Sequence, residues 1–199
     1  MIVLGLTGSI GMGKTTTAAL FRAAGVLVHD ADAAVHALYR GEAAPLVEAA
    51  FPGTTSEGVV DRHLLSQKLM EDSSALARLE TIVHPLVRKA REQFLDEARQ
   101  AGASVVVLDV PLLFETGGDR NVDAVVLVTA PESVQKARVL ARPGMTQERF
   151  AAILTKQMPD SEKRKRAHFI VDTSLGFAAA ERQVQGILRA LSSMSGQRK

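Results

Sequence analysis

The chain has 199 residues, 46% hydrophobic and 23% charged, with 24 Lys plus Arg against 22 Asp plus Glu. That length allows one domain with a sizeable core, and the near balance of charge gives no argument for a nucleic-acid-binding surface. With no Cys there is no disulfide framework, redox thiol or Cys-ligated zinc, and no apolar run approaches the ~20 residues of a membrane span.

Residues 2–6 (Ile-Val-Leu-Gly-Leu) read as a short buried strand rather than a signal peptide, so the cytoplasm is the expected location. Gly8-Ser9-Ile10-Gly11-Met12-Gly13-Lys14-Thr15 follows, with the form G-x-x-x-x-G-K-[ST] of a phosphate-cradling P-loop. Its glycines allow positive φ and close approach to a ligand, so that loop N–H groups and a helix start face a polyphosphate. Gly8, Gly11, Met12, Gly13, Lys14, Thr15 and Thr16 are the expected ATP contacts. Lys14 reaches the β- and γ-phosphates, and the Thr15 hydroxyl helps to hold Mg²⁺. A helix over residues 16–24 ends at Gly25, and residues 26–30 give a second buried strand, parallel to the first. Asp30-Ala31-Asp32 lies at that strand's carboxyl end, where open parallel sheets bind ligands. Either carboxylate suits a general base for a substrate hydroxyl, and either suits the cap of a helix over 33–39.

Residues 42–101 carry no convincing strand. A short helix over 45–51 stops at Pro52-Gly53. Asp61 caps a helix carrying Leu64, Leu65, Leu69 and Met70, and Ser73 or Ser74 caps another carrying Leu76, Leu79, Ile82 and Val83. Pro85 predicts a break after His84, and a last helix runs on to Gly102. This stretch reads as a helical insertion that binds substrate. Residues 105–109 are an apolar run ending in Asp109, the form of a strand whose carboxylate holds Mg²⁺ through water. Residues 122–128 predict a fourth strand.

Thr129-Ala130-Pro131 opens a helix bearing Lys136, Arg138 and Arg142, ended by Pro143-Gly144. Arg138 and Arg142, four apart, share a face that suits a phosphoryl group in transfer, although a solvated basic face has the same spacing. Thr146 caps the next helix, which runs to Gln157, so residues 131–160 form a hairpin able to close over ATP as a lid. The run Lys163-Arg164-Lys165-Arg166 reads as a solvated helix face or a lid-side cluster near phosphates. Residues 168–172 give the fifth strand, 177–191 a closing helix, and 192–199 a frayed tail. The five His show no zinc-binding spacing.

These residues together resemble the dephospho-CoA kinase family over nearly the whole chain. Gly5 through Thr15 is similar to the family's opening, and Val28-His29-Asp30-Ala31-Asp32 to its second-strand motif. Asp61-Arg62, Leu65 and His84-Pro85-Leu86-Val87 resemble its helical insertion. Asp109-Val110-Pro111-Leu112-Leu113-Phe114-Glu115 is the most specific piece, and Gln135, Arg138, Arg142 and Gln157 resemble its lid. The resemblance implies an α/β P-loop NTPase fold with a five-stranded parallel sheet flanked by helices. The core lies at about 1–40, 103–130 and 167–191, a helical acceptor-binding insertion at about 41–102 and a lid at about 131–160. It implies transfer of the ATP γ-phosphate to the 3′-hydroxyl of dephospho-CoA, with no nucleic acid, membrane or obligate protein partner. Asp32 matches the family's proposed base, Lys14, Arg138 and Arg142 its catalytic cations, and Thr15 and Asp109 the metal side. His84, Arg88, Pro111, Leu112 and Leu113 fall in the acceptor region. The chain departs from the family at Ala167-His168, where Ala-Asp is usual, and at Thr173, where Asn is common in a loop expected near the adenine.

Another small-molecule or nucleoside monophosphate kinase would share the P-loop, the Asp32 carboxylate and the arginines, but not the 111–115 and His84-Pro85 motifs. A GTP-binding switch would read guanine through N-K-x-D, and Thr155-Lys156-Gln157-Met158 lacks its Asn and Asp. A nucleic-acid-dependent ATPase is opposed by the absence of Trp and the single Tyr.

Overall fold

A computed structural model describes residues 1–72 and 74–196. The chain runs β1 (Ile2–Thr7), α1 (Lys14–Ala23), β2 (Leu27–Asp30), α2 (Ala31–Leu38), α3 (Ala43–Ala50), β3 (Thr55–Ser56), β4 (Val59–Val60), α4 (Arg62–Glu71) and α5 (Ala75–Gln100). It continues through β5 (Val105–Asp109), β6 (Ala124–Thr129), α6 (Glu132–Leu140), α7 (Gln147–Leu154), α8 (Asp160–Arg166), β7 (Phe169–Asp172) and α9 (Phe177–Gly196). Contacts divide it into two compact units: Met1–Val28 with the chain from Ala98 onward, and His29–Glu97.

The first unit is built on the five-stranded parallel sheet, in the order β2-β5-β1-β6-β7. Strands covered on both faces need apolar side chains at every position, and every residue of β6 is buried. Leu4, Leu6, Val107, Val126, Val128 and Val171 pack with Phe21 of α1 and with Val184, Ile187 and Leu191 of α9. A smaller cluster joins Leu113, Phe114 and Val125. The register pairs Leu6 with Asp109, Thr7 with Leu127 and Thr129 with Asp172, so the carboxyl ends of β1, β5, β6 and β7 form one edge. That edge is where an open parallel sheet binds its ligand. Strand β2 is less buried than its sequence predicts: it is the sheet's outer strand, and Leu27 is 43% exposed. The closing helix stays helical to Gly196 through the stretch expected to fray from Ser192; the rest of that tail, 197–199, lies outside the described residues.

The second unit has its own core, in which Ala43, Val47, Phe51, Val60, Leu65, Leu79 and Val83 are buried. It corrects two expectations. Strands β3 and β4 form a two-stranded hairpin where none was expected, with Thr55 opposite Val60. Glu57 and Gly58, at φ 51° and 76°, make its two-residue turn with the positive φ at both positions that such turns favour. Pro85 does not end a helix: α5 is continuous across it. Pro costs a helix interior about 3 kcal/mol, chiefly through one lost bond and a ring clash. Burial of Leu79 and Val83 before it, and packing of Leu86 and Val87 after it, holds both halves on one core. Ser73, one of the two expected caps of this helix, lies outside the described residues, whereas Ser74 directly precedes it.

Candidate active site

The loop after β1 is folded as its glycines require. Gly13 sits at φ 91° immediately before α1, and a Cβ there would lie 3.1 Å from the Thr173 side chain. At Gly8 a Cβ would come within 2.6 Å of the Val128 carbonyl oxygen. The first bond into α1 runs from the Thr17 N–H to the Gly13 carbonyl at 3.1 Å. This leaves the N–H groups of Lys14, Thr15 and Thr16 without an acceptor inside the helix, at its positive end. Thr15 and Thr16 are exposed there. Met12 is turned inward, 3% exposed, and its sulfur accepts from the Ala130 N–H at 3.2 Å. Its side chain is therefore structural, and its backbone is bonded within the site, the N–H donating to the Ser9 carbonyl at 3.1 Å and the carbonyl accepting from the Thr173 hydroxyl at 2.8 Å.

Lys14 and Asp109 form an ion pair at 2.5 Å, with their side chains 17% and 4% exposed. The strand-end carboxylate thus accommodates a cation. Among the described residues no group of three or more His, Asp or Glu could hold a metal alone. The Thr15 hydroxyl and the Asp109 carboxylate are hard oxygen donors, a set suited to Mg²⁺ when phosphate oxygens and water complete the shell.

Side chains from α6, from the segment after α7 and from the loop after β7 grip the outer rim of the P-loop. Gln135 donates to the Ile10 carbonyl at 2.8 Å, and the Ile10 N–H donates to Gln157 Oε1 at 3.1 Å. Arg138 donates through Nη1 to Thr173 Oγ1 at 2.8 Å and through Nη2 to the Thr173 carbonyl at 2.9 Å. Arg142 lies just past the end of α6 at Leu140 and is exposed in the bend there. In the loop after β7, the Ser174 hydroxyl and N–H hold the Asp172 carboxyl below its ordinary range.

The basic run is a solvated face at Arg164, Lys165 and Arg166, and only Lys163 turns inward. Lys163 is fully buried and ion-paired with Glu115 at 2.8 Å. Burial pushes the Glu115 carboxyl up, but Lys163 and the Met158 N–H together outweigh it and hold the group low. Arg164 pairs with Asp160 and donates to Thr129, Lys165 pairs with Glu162, and Arg166 pairs with Asp119 while lying over the Phe114 ring. Each of these four cations thus has a carboxylate partner.

In the second unit Asp30 is the cap of α2, accepting from the Ala33 N–H at 2.9 Å. Asp32 is thereby left out of the capping role. It lines a pocket of about 420 Å³ with Val35, His36, Arg62, Leu65 and Leu69. Arg62 Nη1 lies 3.0 Å from His36 Nε2, and since a guanidinium only donates, that imidazole nitrogen is the acceptor. His84 and Arg88 are exposed on α5, a helical turn apart, and neither lines this pocket. Pro111 is half-buried and Leu112 is 37% exposed, so both remain open to a ligand. Leu113 is a correction: it is 2% exposed and packs so tightly under Gly5 that a Cβ there would meet it at 2.6 Å. It serves the core rather than a ligand. The rim contacts of Gln157 and Thr173 and the His36–Arg62 pair escaped the motif reading, because their partners are distant in sequence.

A strand-end carboxylate paired with the lysine of a glycine loop, on the carboxyl edge of a parallel sheet, defines a P-loop nucleotide-binding protein. The family model for dephospho-CoA kinase matches residues 2–178. The chain is 60% identical over 198 residues to a dephospho-CoA kinase of Rhodopseudomonas palustris strain HaA2, covering all of both chains. It is 61% identical over 196 residues to that of Mesorhizobium japonicum, covering 98% of this chain and all of the other. A crystal structure of TT1252 from Thermus thermophilus superposes with TM-score 0.82 at 35% identity, covering 95% of this chain and 96% of that one. A dephospho-CoA kinase from Campylobacter jejuni has the same fold, with TM-score 0.67 at 23% identity over 95% of this chain and 96% of that one. The chain belongs to the dephospho-CoA kinase family. Among the described residues, no helix is long and apolar enough to cross a membrane.

Proposed function

We infer that this chain transfers the terminal phosphoryl group of ATP to the 3′-hydroxyl of dephospho-CoA, giving CoA and ADP. It is a small-molecule reaction of the cytoplasm that needs no protein partner. The observation that carries the phosphoryl chemistry is Lys14 at the head of α1, set beside Asp109 and among unbonded helix N–H groups; the acceptor follows from the family.

The ATP phosphates draw Lys14 away from Asp109, since two anionic oxygens compete for one ammonium. Thr15 and Asp109 would hold Mg²⁺, whose charge offsets that of the β- and γ-phosphates. Asp32 accepts the proton as the acceptor oxygen bonds to the γ-phosphorus and the bond to the β–γ bridging oxygen breaks, releasing ADP. The apolar side of its pocket, Val35, Leu65 and Leu69, covers the acceptor, and Arg62 supplies a cation for the acceptor's diphosphate. His84, Arg88, Pro111 and Leu112 contribute further acceptor contacts. Residues 131–160 serve as the lid, bringing Arg138 and Arg142 to the group in transfer and excluding water.

The test is ADP release and CoA formation by the purified protein with Mg²⁺-ATP and, in turn, dephospho-CoA, the nucleoside monophosphates, shikimate, pantothenate or no acceptor. Turnover with dephospho-CoA alone is expected. Turnover with another acceptor and none with dephospho-CoA would overturn the acceptor assignment while leaving phosphoryl transfer in place.

A further inference from the structure

We propose that Thr173 is a positioning residue for Arg138, holding its guanidinium against the phosphate loop for the transfer step. The proposal rests on the functional reading above. Thr173 is itself fixed by the sheet edge: its N–H donates to the Thr129 carbonyl at 2.9 Å, continuing the β6–β7 ladder by one residue. It is 8% exposed. Its hydroxyl accepts from Arg138 Nη1 at 2.8 Å and lies 2.8 Å from the Met12 carbonyl, with the Thr129 carbonyl farther at 3.3 Å. A hydroxyl has one proton to give, and Met12 is the nearer acceptor. Its methyl group packs on the loop as well, where a Cβ at Gly13 would lie 3.1 Å from Cγ2.

Arg138 is held at both terminal nitrogens by this one residue, Nη1 on the hydroxyl and Nη2 on the carbonyl at 2.9 Å. Nη1 also lies 3.5 Å from the Gly11 carbonyl, so the guanidinium is set at the rim of the loop. A guanidinium has five N–H donors; both on Nη1 and one on Nη2 are taken by Thr173 and Gly11, and those left on Nη2 and Nε remain for a phosphoryl oxygen. Ordering a long, flexible side chain before the reaction removes that ordering cost from the transfer step. Thr173 therefore has a specific hydrogen-bonding task.

The test is a double-mutant cycle read on CoA formation. Thr173→Val keeps the shape and removes the hydroxyl. It is expected to lower kcat by about ten- to a hundred-fold, the effect of one lost charge-assisted hydrogen bond, while KM for ATP changes less than about three-fold. Thr173→Ser restores the hydroxyl and is expected to recover most of kcat. In an Arg138→Ala background, Thr173→Val is expected to cost nothing further, because no guanidinium remains to be placed. An equal loss in both backgrounds would overturn the proposal and show that Thr173 acts through the Met12 carbonyl; so would an unchanged kcat. If the wild-type protein made no CoA, the functional reading would fall separately. The same cycle read by thermal melting would then decide the contact, with non-additive shifts supporting it and additive ones overturning it.

Discussion

The Asp30 carboxylate is committed to the Ala33 N–H, and Asp32, two residues on, lines a pocket instead. Replacing each therefore has a different consequence. Asp32→Asn keeps the shape and leaves the cap untouched, so ATP binding is expected to persist while kcat falls by about 10²–10⁴-fold, the usual contribution of a positioned base. Wild-type turnover in that variant would remove Asp32 from the chemistry. Asp30→Ala is expected to cost about 1 kcal/mol through the lost cap, lowering the melting temperature by about 2–4 °C. The sequence made both acids candidates for either role, because an aspartate at the end of a strand and the start of a helix suits a cap and a base alike. Only the hydrogen bond separates them. The glycine loop and the carboxylate at the end of β5 were legible because each is a local motif, whereas the contacts of Thr173 were not, since its partners Met12, Thr129 and Arg138 come from three other parts of the chain.

Helix α8 carries the dense basic run, exposed at Arg164, Lys165 and Arg166 but pinned at Lys163 by its ion pair with Glu115. A run of four cations hides any inward-facing position, so the sequence pattern favoured a solvated surface. The turn at Glu57-Gly58 and the continuity of α5 across Pro85 were hidden in the same way: two-residue strands leave no periodic signal, and the packing that overrides a proline is tertiary. The ion pair predicts a pH signature. The folded-state pKa of Glu115 is lowered, so its stabilising contribution is complete above the ordinary carboxylate range and is lost as pH falls through the folded value. Glu115→Gln leaves Lys163 buried without a counter-charge, at a cost of about 3 kcal/mol and about 6–12 °C in melting temperature at neutral pH. That gap is expected to narrow as pH falls below the ordinary carboxylate value of about 4.3 and to close only below the lower folded value, where the wild-type group also becomes neutral. Thermal melts of both proteins from pH 3 to pH 7 test it, and a gap that stays constant would mean that the pair does not stabilise the fold through its charge.

At the scale of the whole molecule, the apolar runs at β1, β5 and β6 announced the parallel sheet, while the order β2-β5-β1-β6-β7 could not be read from runs that look alike. The chain enters the second unit at His29 and leaves it at Glu97, so that unit is inserted into the first. The P-loop lies in the first unit and the Asp32 pocket in the second. Nucleotide and acceptor should therefore leave separate footprints in hydrogen exchange. Mg²⁺-ATP is expected to slow exchange at the head of α1 and in the rim contacts at Ile10 and Met12. At about 100 times its dissociation constant it should add about 2.7 kcal/mol to stability, raising the melting temperature by about 5–11 °C. Dephospho-CoA alone is expected to slow exchange around α2 and α4, whose residues line the pocket. Protection by dephospho-CoA confined to the first unit would mean that the acceptor is recognised without the inserted helices. Arg62 and His36 would then have no part in choosing it, and the role of Asp32 would have to be argued again from kinetics alone.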